Sequence, residues 1–501
     1  MIAFSAISLA KSFVGIAYRR FVLRHVPGPP PPSLLWGEEW HLYTSHPGSL
    51  YSSWHKNYGK VVRFSGVFGH QILSIIDPSA ISFILGEGAY SFPKPQSVRA
   101  WFKALLGEGI LWVEGKSAHD KQRKLLAPAL SQQSVRDLVP VFLETSNKLV
   151  MQWLALLDKS RSEAIEIEVT NWVGRFALDT ISRAAFSYDF DCLSGRENSL
   201  FEALDGLTNN ENKLSSFYMR ALFWLFPSVL VTGKKGEMIR RTKRELGRIG
   251  AKMWEDAKII SDTSDRTLMA RMLRADHVST LEMSEEEIVA QMRTIISAGY
   301  ETVSAIISWL LYEIACNPTI QTALRTEVTM MGDITLGKIN TQCPLLDAIL
   351  KETLRLHPAI LENHHEAAHT VTVPLAEPLS GTSDMYLTIP KGTILLIPVN
   401  VIQQDSEEWG ADAETFKPER WLNADKRRVG ARRDLLAFSE GPRSCIGKAF
   451  ALAEIKVFTV ILLQQFEFSC NHHIEPFQSF VVRPRIKGQS WSSLPLVVKR
   501  V

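Results

Sequence analysis

The residues best equipped for chemistry lie in one short segment, Phe438-Ser-Glu-Gly441-Pro-Arg443-Ser-Cys445-Ile-Gly447. Helix-forming sequence, Lys448-Ala-Phe-Ala-Leu-Ala-Glu-Ile-Lys456, follows at once, so Cys445 stands where a glycine-punctuated loop feeds a helix N-terminus. Backbone N–H groups and the helix dipole stabilise a thiolate at such a place. Gly441 and Gly447 let the backbone approach a flat ligand closely. Phe438 can shield the sulfur from water, and Arg443 offers a cation to an anionic ligand edge. The plain alternative is a buried structural cysteine in a turn. Against it, five fixed positions recur by accident in a chain this long only about once in ten thousand.

Phe, Gly, Arg, Cys and Gly at these spacings resemble the cysteine loop of the cytochrome P450 family, and the resemblance covers nearly the whole chain after the proline run at 27–32. It implies a mainly α (α+β) fold, with a large helical portion, a small β-rich subdomain and haem b buried between them. Cys445 would then be the axial ligand of the haem iron, with Phe438, Arg443 and Gly447 beside it. A thiolate in that position pushes electron density that favours O–O cleavage, which oxygen activation requires.

Glu352-Thr-Leu-Arg355 lies in a helical stretch, where i, i+3 spacing puts both side chains on one face. Glu237/Arg240 and Glu245/Arg248 share that spacing, so position carries the weight: Arg355 stands 90 residues before Cys445, just before His357-Pro358. The segment is similar to the family's Glu-x-x-Arg motif, with Arg420 of Phe416-Lys-Pro-Glu-Arg-Trp421 as third member. Such a buried network defines the geometry of the haem loop more than it adds net stability. Ala298-Gly299-Tyr300-Glu301-Thr302 is similar to the family's oxygen-activation motif. There Gly299 would make room beside the iron, Thr302 would hydrogen-bond oxygen, and Glu301 would supply an acid in a water-linked proton path. A kinked core helix is the bland reading of the same residues.

The segment Glu114 to Pro128 resembles the family's third named helix, in which His119 and Arg123 both reach a haem propionate; a solvated basic helix is the alternative. After the Glu-x-x-Arg helix the family commonly has Arg-Glu-Ala, and here the chain reads His364-His365-Glu366-Ala367. His365 therefore takes the arginine position. A neighbouring carboxylate should raise its pKa and favour an ion pair with the propionate, although imidazole lacks the bidentate fork of arginine. Otherwise His365 faces solvent or the channel.

These groups need rigid elements to hold them. Ser284-Glu-Glu-Glu287 forms a capping box, and the apolar pattern behind it runs to Cys316, where Asn317-Pro318 stops it. At about 32 residues, roughly 48 Å, this helix crosses a whole domain. Ser297-Ala-Gly299 is its weak spot. Val61–Phe64 with Gln71–Ile76 suggests a hairpin, Gly392–Pro398 a later strand, and the segments at Phe480–Arg483 and Leu496–Lys499 read as extended. The expectation is a mostly helical domain with small peripheral sheets.

The bulk properties set outer limits. With 46% hydrophobic and 22% charged residues in 501, the chain has ample material for a core. The net charge, 56 − 53 = +3, implies no nucleic-acid partner. Five scattered cysteines without a Cys-x-x-Cys pair argue against a disulfide framework or zinc site, and for a reducing compartment. Met1 to Ala10 and Ser12 to Tyr18 are apolar around Lys11, a marginal span against the roughly 20 residues a membrane helix needs. Arg19, Arg20 and Arg24 follow it, favouring an anchor with the rest in the cytosol over a surface helix. The expected organisation is an anchor over 1–26, a stiff spacer Pro27-Gly-Pro-Pro-Pro-Pro32, and a catalytic domain over 33–501. Ala221–Val231 reads as a channel lid, a membrane-dipping patch or a core helix. The basic run Lys426-Arg-Arg428 with Arg432-Arg433 reads as a docking patch for an acidic electron donor, or as solvated surface.

Together these residues imply a monooxygenase that inserts one oxygen atom from O2 into an apolar small molecule. NADPH would supply electrons through the flavins of NADPH-cytochrome P450 reductase, with cytochrome b5 as a further donor. The stretch around His119 is most similar to fungal microsomal members, which places the domain on the cytosolic side of the endoplasmic reticulum membrane and suggests terpenoid or other secondary-metabolite substrates. Two other readings stand: a haem-thiolate isomerase or dehydratase acting on peroxides without a reductase, and a non-catalytic haem sensor or electron carrier. The pairing of Glu301 with Thr302 weighs against both. Neither the substrate nor the carbon attacked is legible.

Overall fold

The computed structural model describes residues 14–208, 213–259, 267, 269–270, 283–422 and 435–501. Most of the apolar N-terminal stretch and the whole basic run from Lys426 to Arg433 lie outside these residues. The helices that build the site are α1 (Glu39–Thr44), α2 (Pro78–Leu85), α3 (Gln96–Leu105) and α4 (Lys116–Leu126). They are followed by α5 (Val139–Ser160), α6 (Val169–Phe186), α7 (Ser199–Thr208) and α8 (Lys213–Phe223). The last four are α9 (Gly233–Ile259), α10 (Glu285–Cys316), α11 (Pro344–Leu356) and α12 (Lys448–Leu463).

The capping box starts α10 as the sequence implies. Ser284 Oγ accepts the Glu287 amide at 3.2 Å, and Glu287 Oε2 accepts the Ser284 amide at 2.9 Å. The helix then runs 32 residues, through Ser297–Gly299 without a break in its assignment. Gly299 was expected to make room beside the iron. A Cβ there would lie 2.9 Å from Ile181 Cγ1, so its missing side chain admits α6 against α10, and Gly299 also lines the internal cavity. Among the described residues α10 alone is long and apolar enough to cross a membrane, yet it is mostly buried and forms the spine of the helical core. Phe176 of α6 meets Phe458 of α12 at 4.4 Å between ring centroids, locking the helix after Cys445 into that core.

A four-stranded sheet, ordered β1-β2-β7-β4, stands beside the helices. β1 (Val61–Ser65) and β2 (Gln71–Ile75) form the expected hairpin, and β7 (Ile394–Pro398) adds parallel to β2 with Leu73 opposite Leu395. β4 (Glu362–Glu366) pairs antiparallel with β7, His364 opposite Leu396. Its sequence, Glu-Asn-His-His-Glu, has no strand signal; pairing with the apolar β7 makes it a strand. Alternation along β4 sends neighbouring side chains to opposite faces. The remaining small sheets join Ala164–Glu168, Pro495–Arg500 and Phe466–Ser469, then Ile474–Gln478 with Val482–Ile486, and Val371–Pro374 with Tyr386–Ile389. Of these, β9 (Ile474–Gln478) and β10 (Val482–Ile486) reach the site.

Residues 14–22 are helical, and Leu23 and Val26 are buried in the apolar cluster over the sheet. The end of the segment assigned to the anchor is thus part of the folded body. In Ala221–Val231, α8 ends at Phe223 and a 3-10 turn covers Pro227–Val231. Phe223 and Trp224 wall an internal cavity, while Phe226 and Val231 are exposed.

Candidate active site

The loop before α12 is shaped by one close approach. Gly441 has φ +70°, and a Cβ on it would fall 2.0 Å from the Leu85 carbonyl oxygen at the end of α2. Only glycine fits there. The loop closes when the Cys445 amide donates to the Phe438 carbonyl at 2.8 Å. Cys445 then opens into a cavity of about 1060 Å³, which His119, Arg123, Glu301, Thr302, His365, Phe438, Arg443 and Gly447 also line. Nine residues singled out by motif are thereby brought to one space.

Cys445 is exposed and lines that cavity. Burial pushes the Cys445 thiol up, against the Gly447 amide, the charge of Arg123 and the charge and amide of Lys448, which favour the thiolate. The amides at the helix start favour the thiolate, as the loop sequence implies, but burial outweighs them. Coordination to a cation would ionise it, since a metal-bound thiol is deprotonated outright.

Cations gather on one side of the cysteine. Arg123 Nη1 donates to the Ser444 carbonyl at 2.9 Å, tying α4 to the loop. Arg443 pairs with Glu114 and lies over the Tyr90 ring at 5.0 Å, yet none of its three guanidinium nitrogens makes a hydrogen bond. Lys94 Nζ donates to the same Glu114 at 3.2 Å. His119 is buried, with Nδ1 3.2 Å from the Tyr90 hydroxyl, which in turn donates to Asp120 at 3.1 Å. Burial, then Arg443, Lys94 and Arg123, lower the pKa of His119. One carboxylate, Glu114, thus faces Arg443 and Lys94.

His365 differs from expectation. Its Nδ1 donates to the Phe92 carbonyl at 2.9 Å, and burial lowers its pKa to about 4, with Lys94, His364 and Arg443 acting the same way. It is neutral, not the charged partner its neighbour Glu366 suggested. Strand alternation explains this: Glu366 accepts the Gln96 amide at 3.2 Å and does not contribute to the His365 shift. His365 Nε2 is left buried without a partner.

These features fit a haem. The cavity exceeds the roughly 300–1,000 Å³ of ordinary ligand pockets, enough for a flat cofactor and a second molecule. The orphaned nitrogens of Arg443 and His365 suit propionate oxygens, and Cys445 suits the iron.

Behind the loop, Glu352 and Arg355 are fully buried on α11. Arg355 Nε and Nη2 reach Glu352 at 2.9 and 2.8 Å, a bidentate fork. Arg420 Nε and the Lys417 amide donate to Glu352 Oε1 at 2.8 and 2.9 Å, and Trp421 Nε1 to Oε2 at 2.9 Å. Arg355 Nη1 continues to the Gln403 carbonyl at 2.8 Å. Burial opposes the ionised form of Glu352, but Arg355, the Lys417 amide and Arg420 outweigh it and hold the carboxyl below its usual range. The three-member network read from the motif is present, with Trp421 as an addition.

On α10, Thr302 Oγ1 donates to the Ala298 carbonyl at 2.8 Å, leaving its lone pairs to the cavity. Burial pushes Glu301 up to about 7, Arg483 of β10 opposing and Asp205 of α7 adding. Arg483 Nη1 donates to Asp205 at 3.1 Å and lies over the Tyr300 ring. Arg483, Asp205, Tyr90, Glu114 and Lys94 were not read from the sequence. Glu114 opens the His119 segment without a role of its own there, and the other four sit outside a recognisable motif and are brought in by tertiary packing.

A helical body, a cavity-facing cysteine and a ring of cations beside it are the arrangement of haem-thiolate enzymes. Comparison with known proteins agrees: a family model described as Cytochrome P450 matches residues 27–489. Cytochrome P450 monooxygenase claQ of Ampulloclitocybe clavipes is 32% identical over 516 residues, covering 98% of this chain and 96% of that protein. Its companion claP is 31% identical over 522 residues, with 98% and 96% covered. Cytochrome P450 monooxygenase 205 of Postia placenta is 28% identical over 507 residues, with 95% and 93% covered. The chain belongs to the cytochrome P450 family. It is an oxygenase, and membership implies a haem-thiolate cofactor, a small-molecule substrate and a redox partner.

Proposed function

We propose that this chain inserts one oxygen atom from O2 into an apolar small molecule, taking electrons from NADPH through NADPH-cytochrome P450 reductase, with cytochrome b5 as a further donor. One observation carries the reading: Cys445 and Thr302 open into the same cavity from opposing elements, the cysteine loop and α10. Haem bound there, with a cysteine thiolate ligand, supplies the activation of molecular oxygen.

The chain's own residues do the rest. Cys445 ligates, while Arg123, Arg443, His119 and His365 hold the anionic edge. Phe438 and the Phe223–Trp224 wall exclude water. Thr302 accepts a hydrogen bond at the reacting centre, and Glu301, titrating near 7, moves a proton toward it from the Arg483–Asp205 side. The apolar lining suits a terpenoid or similar secondary metabolite. Exposed Phe226 and Val231, with the N-terminal anchor, would hold the domain on the cytosolic face of the endoplasmic reticulum membrane. The basic run Lys426 to Arg433 would steer the reductase.

The test reconstitutes the haem-loaded full chain with reductase and an extract of apolar metabolites. Oxygenated product formed only with NADPH, reductase and O2 together supports the reading. Product formed from peroxides alone, without reductase, favours an isomerase or dehydratase.

A further inference from the structure

The charged groups lining the cavity away from Cys445 come with partners, except one. Arg485 Nε donates to Glu475 at 2.8 Å. Arg220 lies 3.7 Å from Glu39 and is further offset by Glu362. Glu301 faces Arg483. Lys235 also lines the cavity, but among the described residues it has no ion pair or hydrogen bond and no charge that acts on it.

Its placement is unfavourable twice over. Lys235 stands in the first turn of α9, where the helix dipole disfavours a cation. It is also partly withdrawn from water, and burial alone lowers its pKa. Helix α9 and the turn before it pack on α3, whose apolar Val98, Trp101 and Phe102 line the same cavity. Lys243, two turns on, donates to the Lys103 carbonyl at 3.2 Å and holds that packing. A residue that breaks local rules without compensation inside a binding cavity marks function more often than neglect.

The geometry points to Lys235 as the anchor for an anionic group on the substrate, so that the cavity takes an apolar molecule bearing one carboxylate or equivalent anion. This rests on the oxygenase reading and adds the substrate's chemical class to it. An ammonium ion in an apolar wall gains its missing counter-charge from such a ligand, and the ligand's apolar body follows the cavity toward Cys445. The competing account is that the lysine stem lies on the apolar wall while its ammonium reaches water at the cavity mouth.

Isothermal titration calorimetry on the haem-loaded full chain separates the two, with dodecanoate, methyl dodecanoate and dodecan-1-ol as probes. Dodecanoate should bind at least tenfold more tightly than either neutral probe. That preference should vanish in Lys235→Gln and return in Lys235→Arg. Equal affinities, no binding of dodecanoate, or a preference that survives in Lys235→Gln would overturn the proposal. The reduced carbonyl spectrum of the same samples tells the two claims apart. A thiolate-type spectrum without acid preference removes the Lys235 anchor alone. Loss of that spectrum in the wild type removes the oxygenase reading and the anchor with it.

Discussion

Arg123 and Ser444 are 321 residues apart in sequence, yet Arg123 Nη1 donates to the Ser444 carbonyl at 2.9 Å. Helix α4 is thereby fastened to the residue before the cysteine ligand. Arg123 holds the loop that presents the thiol, and in the proposed reading it would also face the anionic edge of the cofactor. A charged hydrogen bond of this kind is worth about 1.5–3 kcal/mol. Arg123→Ala should therefore release haem to an apoprotein acceptor at least tenfold faster than the wild type. An unchanged release rate would mean that Arg443 and His365 hold the cofactor unaided.

The Glu352–Arg355 pair should respond to truncation far more than its exposure-free position suggests. Removing one partner of a buried pair strands the other charge and costs about 3–5 kcal/mol. Glu352→Ala should lower the denaturation midpoint of the haem-loaded protein severely or prevent its accumulation. Arg355→Lys should fail as well, because an ammonium cannot make the fork. Near wild-type midpoints in both variants would contradict the network's role.

In the proposed reading Glu301 and Thr302 would act on the proton, not on cofactor binding. Glu301 is raised from 4.5 to about 7 by burial. The folded state therefore binds more protons than the unfolded state between those values, so this stability contribution is full below pH 4.5 and lost as pH rises through 7. The proton-donating form declines over the same rise. Product formed per NADPH consumed should fall as pH climbs past about 7. Glu301→Gln should flatten that dependence, and Thr302→Ala should keep haem but divert most reducing equivalents to peroxide. A Thr302→Ala variant with product still matched to NADPH would remove the role.

His365 is neutral down to about pH 4 by burial, with Nε2 orphaned beside Arg443 and Lys94. A lowered histidine pKa has the opposite sign: its stability contribution is present above 6.5 and lost as pH falls toward 4. A propionate at Nε2 would restore the proton and reverse that trend. Haem retention should drop in His365→Ala and recover in His365→Arg. Identical retention in all three proteins would show that the contact does not exist.

The fold and the site were legible to different depths. The capping box at Ser284 and the stop at Asn317-Pro318 define α10 to the residue, because caps are local chemistry. The Glu352 network was readable because its members lie in two short motifs. Strand β4 was not, since Glu-Asn-His-His-Glu acquires its conformation only from pairing with β7. The charge state of His365 was misread for the same reason: sequence neighbours on a strand point apart, and the groups that act on it, Lys94 and Arg443, arrive from distant segments. Gly299 does line the cavity, but its close packing on Ile181 of α6 was not readable from the motif. Lys235 carries no motif at all; only the cavity makes it conspicuous.

The proposed chemistry turns on Cys445 as the axial ligand. The most direct measurement is the absorption spectrum of the reduced carbonyl complex in wild type, Cys445→Ala and Cys445→His. The wild type should show the red-shifted Soret band of a thiolate ligand, Cys445→Ala should lose it along with most bound haem, and Cys445→His should retain haem with the band of a histidine ligand. A thiolate-type band that persists in Cys445→Ala would place the ligand elsewhere and contradict the account.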